Sequence, residues 1–304
     1  MDVAVTGSGG LIGAALVGRL REEGHRVRQV VRSGGSGADE VRWDPMVGTI
    51  DSSGLAGVDA VVHLAGEGIG DHRWTEAQKR KIRDSRVTGT TVLAEAVARL
   101  DPRPSVFLCA SGISVYGDRG DEVATESTGP GRGFLPEVVE AWEAATAPAA
   151  AAGIRTASFR NGIVLSADGG ALAKQLPLFR FGVGGRLGPG TQWVPWIAVD
   201  DEVSAIVHLL HADLEGPVNL CSPEPVTNAT FTEVLGRVLR RPTLLPVPRF
   251  GPRLLLGRQL ADELLFWSVR AAPERLLASG FTFAHPDLED ALRTVLGRPA
   301  APAA

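Results

Sequence analysis

The residues best suited to chemistry stand at the start of the chain, where glycines recur at three-residue spacing. They lie between a short apolar run at 3–5, typical of a buried strand, and an amphipathic pattern that predicts a helix. Such glycines permit a tight turn, let backbone amides approach a pyrophosphate, and let the helix pack closely on the strand. The free N–H groups of a helix N-terminus favour anions, so we predict dinucleotide phosphates at Gly7, Ser8, Gly9, Gly10, Leu11, Ile12 and Gly13. The alternative is a structural glycine turn in another kind of α/β protein.

A positive charge follows the second apolar run. The run at 25–31 reads as a strand that carries Arg28, and Arg32 stands at its carboxyl end. An NAD site is expected to have Asp or Glu there, bound to the ribose, whereas a guanidinium is suited to a 2′-phosphate. We therefore predict NADP(H) as the cofactor, with a solvated surface charge as the alternative role for Arg32.

Composition limits the classes of partner. The formal net charge of the 304 residues is −4 and the pI is near 5.9, so no basic field indicates binding to nucleic acid or to an anionic membrane. No apolar run reaches the roughly 20 residues of a membrane span, and no basic segment of a signal peptide precedes the first strand. We expect a cytoplasmic protein, in which Cys109 and Cys221 are reduced core residues. Nucleophilic chemistry at Cys109 is the alternative.

The order of the patterns predicts the fold. Short apolar runs alternate with helical patterns, including long helices at 75–100 and 133–151 and strands at 58–65 and 154–159. This alternation indicates an α/β protein with a doubly wound parallel Rossmann sheet. We assign residues 1–165 to an NADP-binding Rossmann domain, with the sheet completed by residues 196–220. A smaller mixed α/β region on the substrate side comprises 166–195 and 221–304.

Several motifs together resemble a known family. They are Thr6-Gly7-x-x-Gly10-x-x-Gly13, His63-Leu-Ala-Gly66, Val115-Tyr-Gly-Asp118 and Trp196-Ile-Ala-Val-Asp-Asp201. These segments resemble the extended short-chain dehydrogenase/reductase superfamily. Further segments resemble its atypical, sugar-nucleotide-epimerase-like branch: Val41-Arg-Trp-Asp44, Leu64-Ala-Gly-Glu67, Arg73-Trp74, Ser85-Arg86, Trp142-Glu143 and Phe179-Arg-Phe-Gly-Val-Gly-Gly185. The resemblance implies a Rossmann domain that binds NADP(H), and a monomer or homodimer.

The resemblance also implies roles for single residues. Leu64, Ala65 and Gly66 would line the adenosine side, while the 2′-phosphate would meet Arg32. Arg86 would reach the cofactor from the long helix, and Ile163 would lie near the nicotinamide. For Leu64 and Ile163 a purely structural role in the apolar strands is an equal alternative.

The proton relay of the superfamily is missing. That relay needs a tyrosine with a lysine four residues later on one helix face, but the single tyrosine is Tyr116 and no Tyr-x-x-x-Lys occurs. Alignment on Trp142-Glu143 places the two positions at Leu135 and Val139. The hydroxyl position of the superfamily falls on Gly112, with Ser111 beside it. The candidates for a proton donor are therefore Ser111 and Tyr116. For Tyr116 a buried, hydrogen-bonded structural role is an equal alternative.

Other groups give weaker signals. Glu67 is a possible base or a loop cap, His63 reads as a core histidine, and His208 with His211 has no accompanying ligand cluster, so we predict no metal site. The function predicted is an NADP(H)-binding, epimerase-like oxidoreductase of an unknown small molecule. The alternatives are a non-catalytic NADP(H) sensor or scaffold and, less favoured because of Arg32, a flavin or nucleotide binder.

Overall fold

The computed structural model describes residues 1–32, 37 and 39–299. Most of the Gly- and Ser-rich stretch between Arg32 and Glu40 therefore lies outside the described residues. The strands are, in chain order, β1 Asp2–Thr6, β2 Arg26–Val31, β3 Glu40–Asp44, β4 Thr49–Ile50, β5 Ala60–His63, β6 Val106–Gly112, β7 Val123–Ala124, β8 Arg155–Asn161, β9 Ile163–Leu165, β10 Trp193–Val194, β11 Trp196–Ala198, β12 Gly216–Leu220, β13 Val226–Thr227 and β14 Arg270–Ala271.

The helices alternate with these strands over most of the chain. They are α1 Leu11–Glu22, α2 Ser52–Leu55, α3 Glu76–Ala98, α4 Phe134–Ala144, α5 Ala147–Ala151, α6 Gly170–Arg180, α7 Val199–His211, α8 Asn228–Leu239, α9 Phe250–Leu256, α10 Arg258–Ala261, α11 Glu274–Ala278 and α12 Leu288–Val295. A 3₁₀ turn at Ile113–Tyr116 follows β6, and a π-helical segment at Asp262–Phe266 follows α10.

One eight-stranded sheet organises the molecule, in the order β12-β8-β6-β5-β1-β2-β3-β4. All neighbouring pairs are parallel except β3 and β4. The chain starts at β1 in the middle, moves to one side through β2, and then returns to build the other side from β5. This arrangement confirms the predicted α/β fold with a mainly parallel sheet. It also creates a point of reversal between β1 and β5, where ligands bind in such sheets.

Helices cover both faces of the sheet. Helices α1 and α7 pack together, and α7 contacts β6 and β8, whereas α4 contacts β6 and α5 contacts β8 together with α3. Because the same two strands touch both groups, the groups lie on opposite faces. The strands between them are buried on both sides, which explains why they read as nearly continuous apolar runs.

Two predicted elements are interrupted. The helix predicted at 133–151 stops after Ala144, because Pro148 has no N–H to continue the hydrogen-bond ladder and instead begins α5 near its N-terminus. The predicted strand from 154 to 165 is divided at Gly162, where the chain changes partners: Gly162 N–H donates to Leu220 O, but Ile163 N–H donates to Pro195 O. Strand β12 thus completes the main sheet, while β11 pairs with β9 outside it.

A second core underlies the later part of the chain. It is built by apolar residues of α6, α8, α12, β9 and β11, among them Leu172, Trp196 and Leu235. Asp201 in the first turn of α7 accepts hydrogen bonds from the backbone N–H groups of Ala284 and His285. The buried carboxylate therefore attaches the C-terminal segment to the helix that covers the sheet.

Candidate functional site

The turn after β1 brings three backbone segments into close contact. Gly7 has a φ of +67°, and a Cβ there would lie 2.9 Å from Leu64 C and Ala65 N. A Cβ on Gly13 would lie 2.1 Å from Gly7 O. A side chain at either position would displace backbone atoms, so both glycines are required by the packing of the turn. A Cβ on Gly9, by contrast, would meet no atom within 4 Å.

Helix α1 begins at this turn without a side-chain cap. Gly10 is its N-cap residue, no acidic residue stands in the first turn, and Ala14 N–H donates to Gly10 O at 2.8 Å. The amides of the first turn precede this bond and face the carboxyl edge of the sheet. Gly9 and Gly10 are exposed there, while Ser8 is buried. A partial positive charge and free donors make this edge suitable for a phosphate.

Thr6 fastens the turn to the end of β5, a role that the sequence analysis missed. Its hydroxyl oxygen accepts hydrogen bonds from Leu64 N–H at 3.0 Å and Ala65 N–H at 3.1 Å. The hydroxyl itself lies 2.7 Å from His63 Nδ1. With both amides donating to it, the threonine donates to the ring nitrogen. This buried hydroxyl therefore helps to fix the position of the loop at 64–66.

His63 is neutral in this position. Burial, and then the charge of Arg86, lowers its pKa to about 3. Since Nδ1 accepts from Thr6, the proton is on Nε2, for which the described residues offer no hydrogen-bond partner. The ring lies edge-on to Trp43 with centroids 5.9 Å apart. His63 is the buried core residue that the strand pattern predicted.

Arg86 supports the loop after β5. Its Nη1 donates to Glu67 O at 2.9 Å and to Ile82 O at 3.1 Å, and its guanidinium lies 4.9 Å from the Trp142 ring. A Cβ on Gly66 would come within 3.3 Å of the guanidinium carbon. Burial lowers the pKa of Arg86 to about 10, against the opposite effect of Glu67. The side chain is thus a cation directly beneath the predicted adenosine-side loop.

The two arginines of β2 lie in different environments. Arg28 binds both oxygens of Asp2, with the closest contact at 2.6 Å, and also donates to Gly54 O and Ala56 O. It is therefore occupied by the protein. Arg32 follows the strand at the carboxyl edge and is exposed. Because Thr6 pairs with Val30, Arg32 emerges beside the glycine turn, where a 2′-phosphate would be bound.

Ser111 belongs to a buried ion-pair network at the end of β6. Its hydroxyl donates to Glu143 Oε1 at 2.6 Å. Arg160 binds the same carboxylate with two nitrogens, Nε at 2.7 Å and Nη2 at 2.8 Å. Burial lowers the pKa of Arg160, but the hydrogen bonds and charge of Glu143 outweigh it, and the net shift is upward. Sequence reasoning noted Glu143 only as part of a motif and gave no signal for Arg160.

Tyr116 continues the network toward β12. Its hydroxyl donates to Asn219 Oδ1 at 2.8 Å and accepts from Arg160 Nη1 at 2.9 Å. The side chain is fully buried, and burial raises its pKa. Asn219 in turn donates to Ala272 O. The phenolic proton is therefore already engaged in the hydrogen bond to Asn219. This arrangement favours a positioning role for Tyr116 over direct proton donation.

The two helix positions at which the superfamily dyad is expected are buried. Leu135 and Val139 on α4 are both buried. Glu263, from the π-helical segment, accepts hydrogen bonds from Phe134 N–H at 3.2 Å and Leu135 N–H at 2.9 Å. The π-helical segment thus caps the N-terminus of α4 beside Leu135, one of the two positions at which the dyad is expected. No phenol or ammonium among the described residues takes its place on this helix.

A second buried carboxyl group lies behind the end of β8. Glu202 on α7 is fully buried, and burial raises its pKa well above the usual range for a glutamic acid. With the amide of Asn161 turned to its better orientation, Nδ2 donates to Glu202 Oε1 at 2.9 Å. Burial therefore favours the uncharged form of the Glu202 carboxyl group.

The structure gathers the predicted cofactor residues at one edge. The glycine turn, Arg32 and the loop at 64–66 lie at the ends of the adjacent strands β1, β2 and β5, with Arg86 beneath them. Half-buried Ile163 follows β8, farther along the same edge. His208 Nε2 lies 2.8 Å from Ser279 Oγ, and the described part of the chain contains no group of three or more potential metal ligands.

Comparison with family models gives two matches. The model of the NAD dependent epimerase/dehydratase family matches residues 3–221. A domain of unknown function, DUF1731, matches residues 247–295, the part of the chain that contains Glu263. The chain is 42% identical over 298 residues to Epimerase family protein ML0860 of Mycobacterium leprae, covering 98% of this chain and 96% of that protein. It is 35% identical over 300 residues to human Epimerase family protein SDR39U1, covering 97% and 100% respectively.

The architecture matches a solved structure closely. The crystal structure of human epimerase family protein SDR39U1 (isoform 2) with NADPH superposes with a TM-score of 0.90 at 32% sequence identity. The match covers 98% of this chain and 99% of that one. Within the described residues, no helix is both long and apolar enough to cross a membrane.

Proposed function

The chain belongs to the NAD dependent epimerase/dehydratase family, and we propose that it is an NADP(H)-binding, epimerase-like oxidoreductase that acts on a small molecule. One observation carries this proposal. The cradle formed by Gly7 and Gly13 opens at the N-terminus of α1 and is too close for a side chain. It stands beside Arg32 and the loop at 64–66, and the similar human protein was crystallised with NADPH.

The proposal assigns a place to each part of the cofactor. The pyrophosphate meets the amides of the first turn of α1, and the 2′-phosphate meets Arg32. Leu64, Ala65 and Gly66 line the adenosine side, held by Thr6 and Arg86. Ile163 lies toward the nicotinamide, which when bound supplies or accepts a hydride. The cofactor domain comprises 1–165 and 196–220, in a cytoplasmic monomer or homodimer.

The substrate would lie between this edge and the regions 166–195 and 221–304. The proton for the reaction must come from a group other than a tyrosine–lysine dyad. Of the two predicted donors, Ser111 is the better placed, because Glu143 accepts its hydrogen bond and could take up or return the proton. Tyr116 would act through Arg160, by holding the guanidinium against Glu143.

Turnover by two conservative variants tests this assignment. We expect Ser111→Ala to lower kcat about 100-fold or more, the range of lost acid–base catalysis, in NADPH oxidation with a panel of carbonyl and sugar-nucleotide compounds. Tyr116→Phe should retain most of the turnover while lowering thermal stability, because it removes the hydrogen bond that Asn219 Oδ1 accepts and the one that Arg160 Nη1 donates. NADPH binding should be unchanged in both variants.

Thr91→Ala is a matched control, since its hydroxyl donates only to a carbonyl within α3. The reverse pattern, full turnover without the serine hydroxyl and none without the phenol, would make Tyr116 the donor.

A non-catalytic NADP(H) sensor or scaffold is the second candidate function. The observation that favours it is the burial of Leu135 and Val139, at the end of α4 that Glu263 caps. If no compound in the panel consumes NADPH although NADPH binds, the sensor replaces the enzyme. A change in protease sensitivity of the segment at 258–268 on adding NADPH would then support it.

A further inference from the structure

An exposed apolar surface lies far along the chain from the glycine turn. Eight large apolar side chains on it are each at least 54% exposed: Leu178, Phe181, Val183, Leu244, Leu245, Phe250, Leu254 and Leu255. Helix α9 contributes three of them and has no buried residue of its own. We call these eight residues, with the arginines named below, the apolar–arginine face. Exposed apolar patches of this kind mark interaction sites.

The two segments that form this face run side by side. Gly188 N–H donates to Val247 O and Val247 N–H donates to Arg186 O, each at 2.8 Å. A Cβ on Gly182 would meet the ring of Pro242 at 3.7 Å, and one on Gly185 would overlap with Leu245 O. A Cβ on Gly188 would likewise lie 3.2 Å from Arg249 Cγ. Residues 182–188 therefore lie against residues 242–249, and helix α9 begins directly after this contact.

The charge of this face is opposite to that of the whole protein. The net charge of the chain is −4, yet residues 169–199 and 240–261 contain no Asp or Glu. Among the residues that the structure describes, no carboxylate pairs with the exposed side chains of Arg180, Arg186, Arg240, Arg241 and Arg249. Arg253 of α9 pairs with Asp262, but these five arginines give the two segments that carry the exposed apolar side chains a net positive charge.

This charge excludes a second copy of the chain as the occupant. A symmetric dimer contact would place the same surface on both sides and oppose like charges. The occupant must be anionic and able to accept aliphatic and phenyl groups. Leucine is under-represented among the residues that dominate protein–protein interfaces, which argues against a protein partner on this face.

We propose that the apolar–arginine face binds the surface of an anionic lipid bilayer. Leucine and phenylalanine side chains enter the boundary between head groups and acyl chains, while the arginines contact the lipid phosphates, as in other interfacial segments. A lipid surface needs no complementary groove, which suits side chains that project singly. The net charge of −4 for the whole chain gave no indication of binding to an anionic membrane. That sum includes the carboxylates outside the face and therefore hides the positive charge within it.

Vesicle co-sedimentation of the full chain tests the proposal. Phosphatidylcholine vesicles with phosphatidylglycerol should bind the protein, and vesicles of phosphatidylcholine alone should not. Arg186→Glu with Arg241→Glu should lower the affinity about 25-fold or more, since one basic residue contributes about a factor of five. Leu254→Ser with Leu255→Ser should also weaken binding to the vesicles that contain phosphatidylglycerol. Salt at about 1 M, which shortens the Debye length to about 3 Å, should abolish binding of the wild type to these vesicles.

Met46→Ser with Val47→Ser is the matched control, because both side chains are exposed and apolar but lie outside the face. This variant should bind vesicles as the wild type does, and all variants should retain NADPH binding. Absent vesicle binding, or binding that ignores phosphatidylglycerol and the substitutions, would overturn the proposal. Concentration-dependent self-association that the Leu254/Leu255 variant abolishes would assign the face to a second copy instead.

Discussion

Replacement of Gly13 by alanine is expected to weaken NADPH binding about 100-fold. A Cβ at this position would lie 2.1 Å from Gly7 O and 2.9 Å from Ser8 Cα, so the turn must move away from the helix. Hydrogen bonds from backbone amides to a charged phosphate contribute about 1.5–3 kcal/mol each. Misplacing two of them costs about 3 kcal/mol, or two factors of ten in the dissociation constant. Fluorescence titration with NADPH measures this loss.

Gly18→Ala provides the control on the same helix. A Cβ there meets no atom within 4 Å, and alanine in a helix interior is favoured over glycine by about 0.5–1 kcal/mol. This variant should therefore be slightly more stable than the wild type and bind NADPH equally well. If Gly13→Ala remains folded and retains wild-type affinity, the glycine turn does not hold the cofactor.

Removal of the Glu143 carboxylate is expected to lower the free energy of unfolding by about 3 kcal/mol. Glu143→Ala leaves the Arg160 guanidinium, with 8% of its side chain exposed, without an anion, and isolated buried charges cost about 3–5 kcal/mol. We expect the lower end, because Glu143 itself retains 18% exposure. Urea unfolding at neutral pH measures the change.

Two further variants separate the charge effect from a general effect of mutating α4. Glu140→Ala changes an exposed glutamate on the same helix and should alter stability by less than about 0.5 kcal/mol. Removing both partners, in Glu143→Leu with Arg160→Leu, should recover part of the loss, because no uncompensated ion remains. The destabilisation by Arg160→Leu alone is measured as well. If it adds in full to that of Glu143→Ala in the double variant, this explanation is contradicted.

The sequence was sufficient to predict the features that depend on local pattern. The apolar run before Gly7 is a central strand, and the helix predicted from Thr75 begins there, with the Thr75 hydroxyl accepting from Gln78 N–H at 3.2 Å. A strand that is buried on both faces is recognised from a short apolar run. A side-chain cap is recognised from one polar residue at the start of a helical pattern. Arg32 could be located in the same way, because it directly follows the second strand.

Features formed by distant parts of the chain left no such signal. Ser111, Glu143, Arg160 and Tyr116 are separated by up to 49 positions in sequence but share one buried network. No spacing rule relates residues of two strands, a helix and a 3₁₀ turn. Glu263 is farther still, 128 residues from the Leu135 amide that it accepts from. The sequence contains no Tyr-x-x-x-Lys, but only the three-dimensional contacts show that Glu263 caps the start of α4 beside Leu135.

The most direct test of the account is the preference for NADPH over NADH in the wild type, Arg32→Ala and Arg26→Ala. Arg26, at the amino end of the same strand, pairs with Asp39 and Asp2 and serves as the control. The account predicts a preference for NADPH of about 10- to 100-fold, the contribution of one or two charge-assisted hydrogen bonds. It should vanish in Arg32→Ala and persist in Arg26→Ala. Equal affinity of the wild type for both nucleotides, or an unchanged preference in Arg32→Ala, would contradict the assignment of an NADP(H) site at this edge of the sheet.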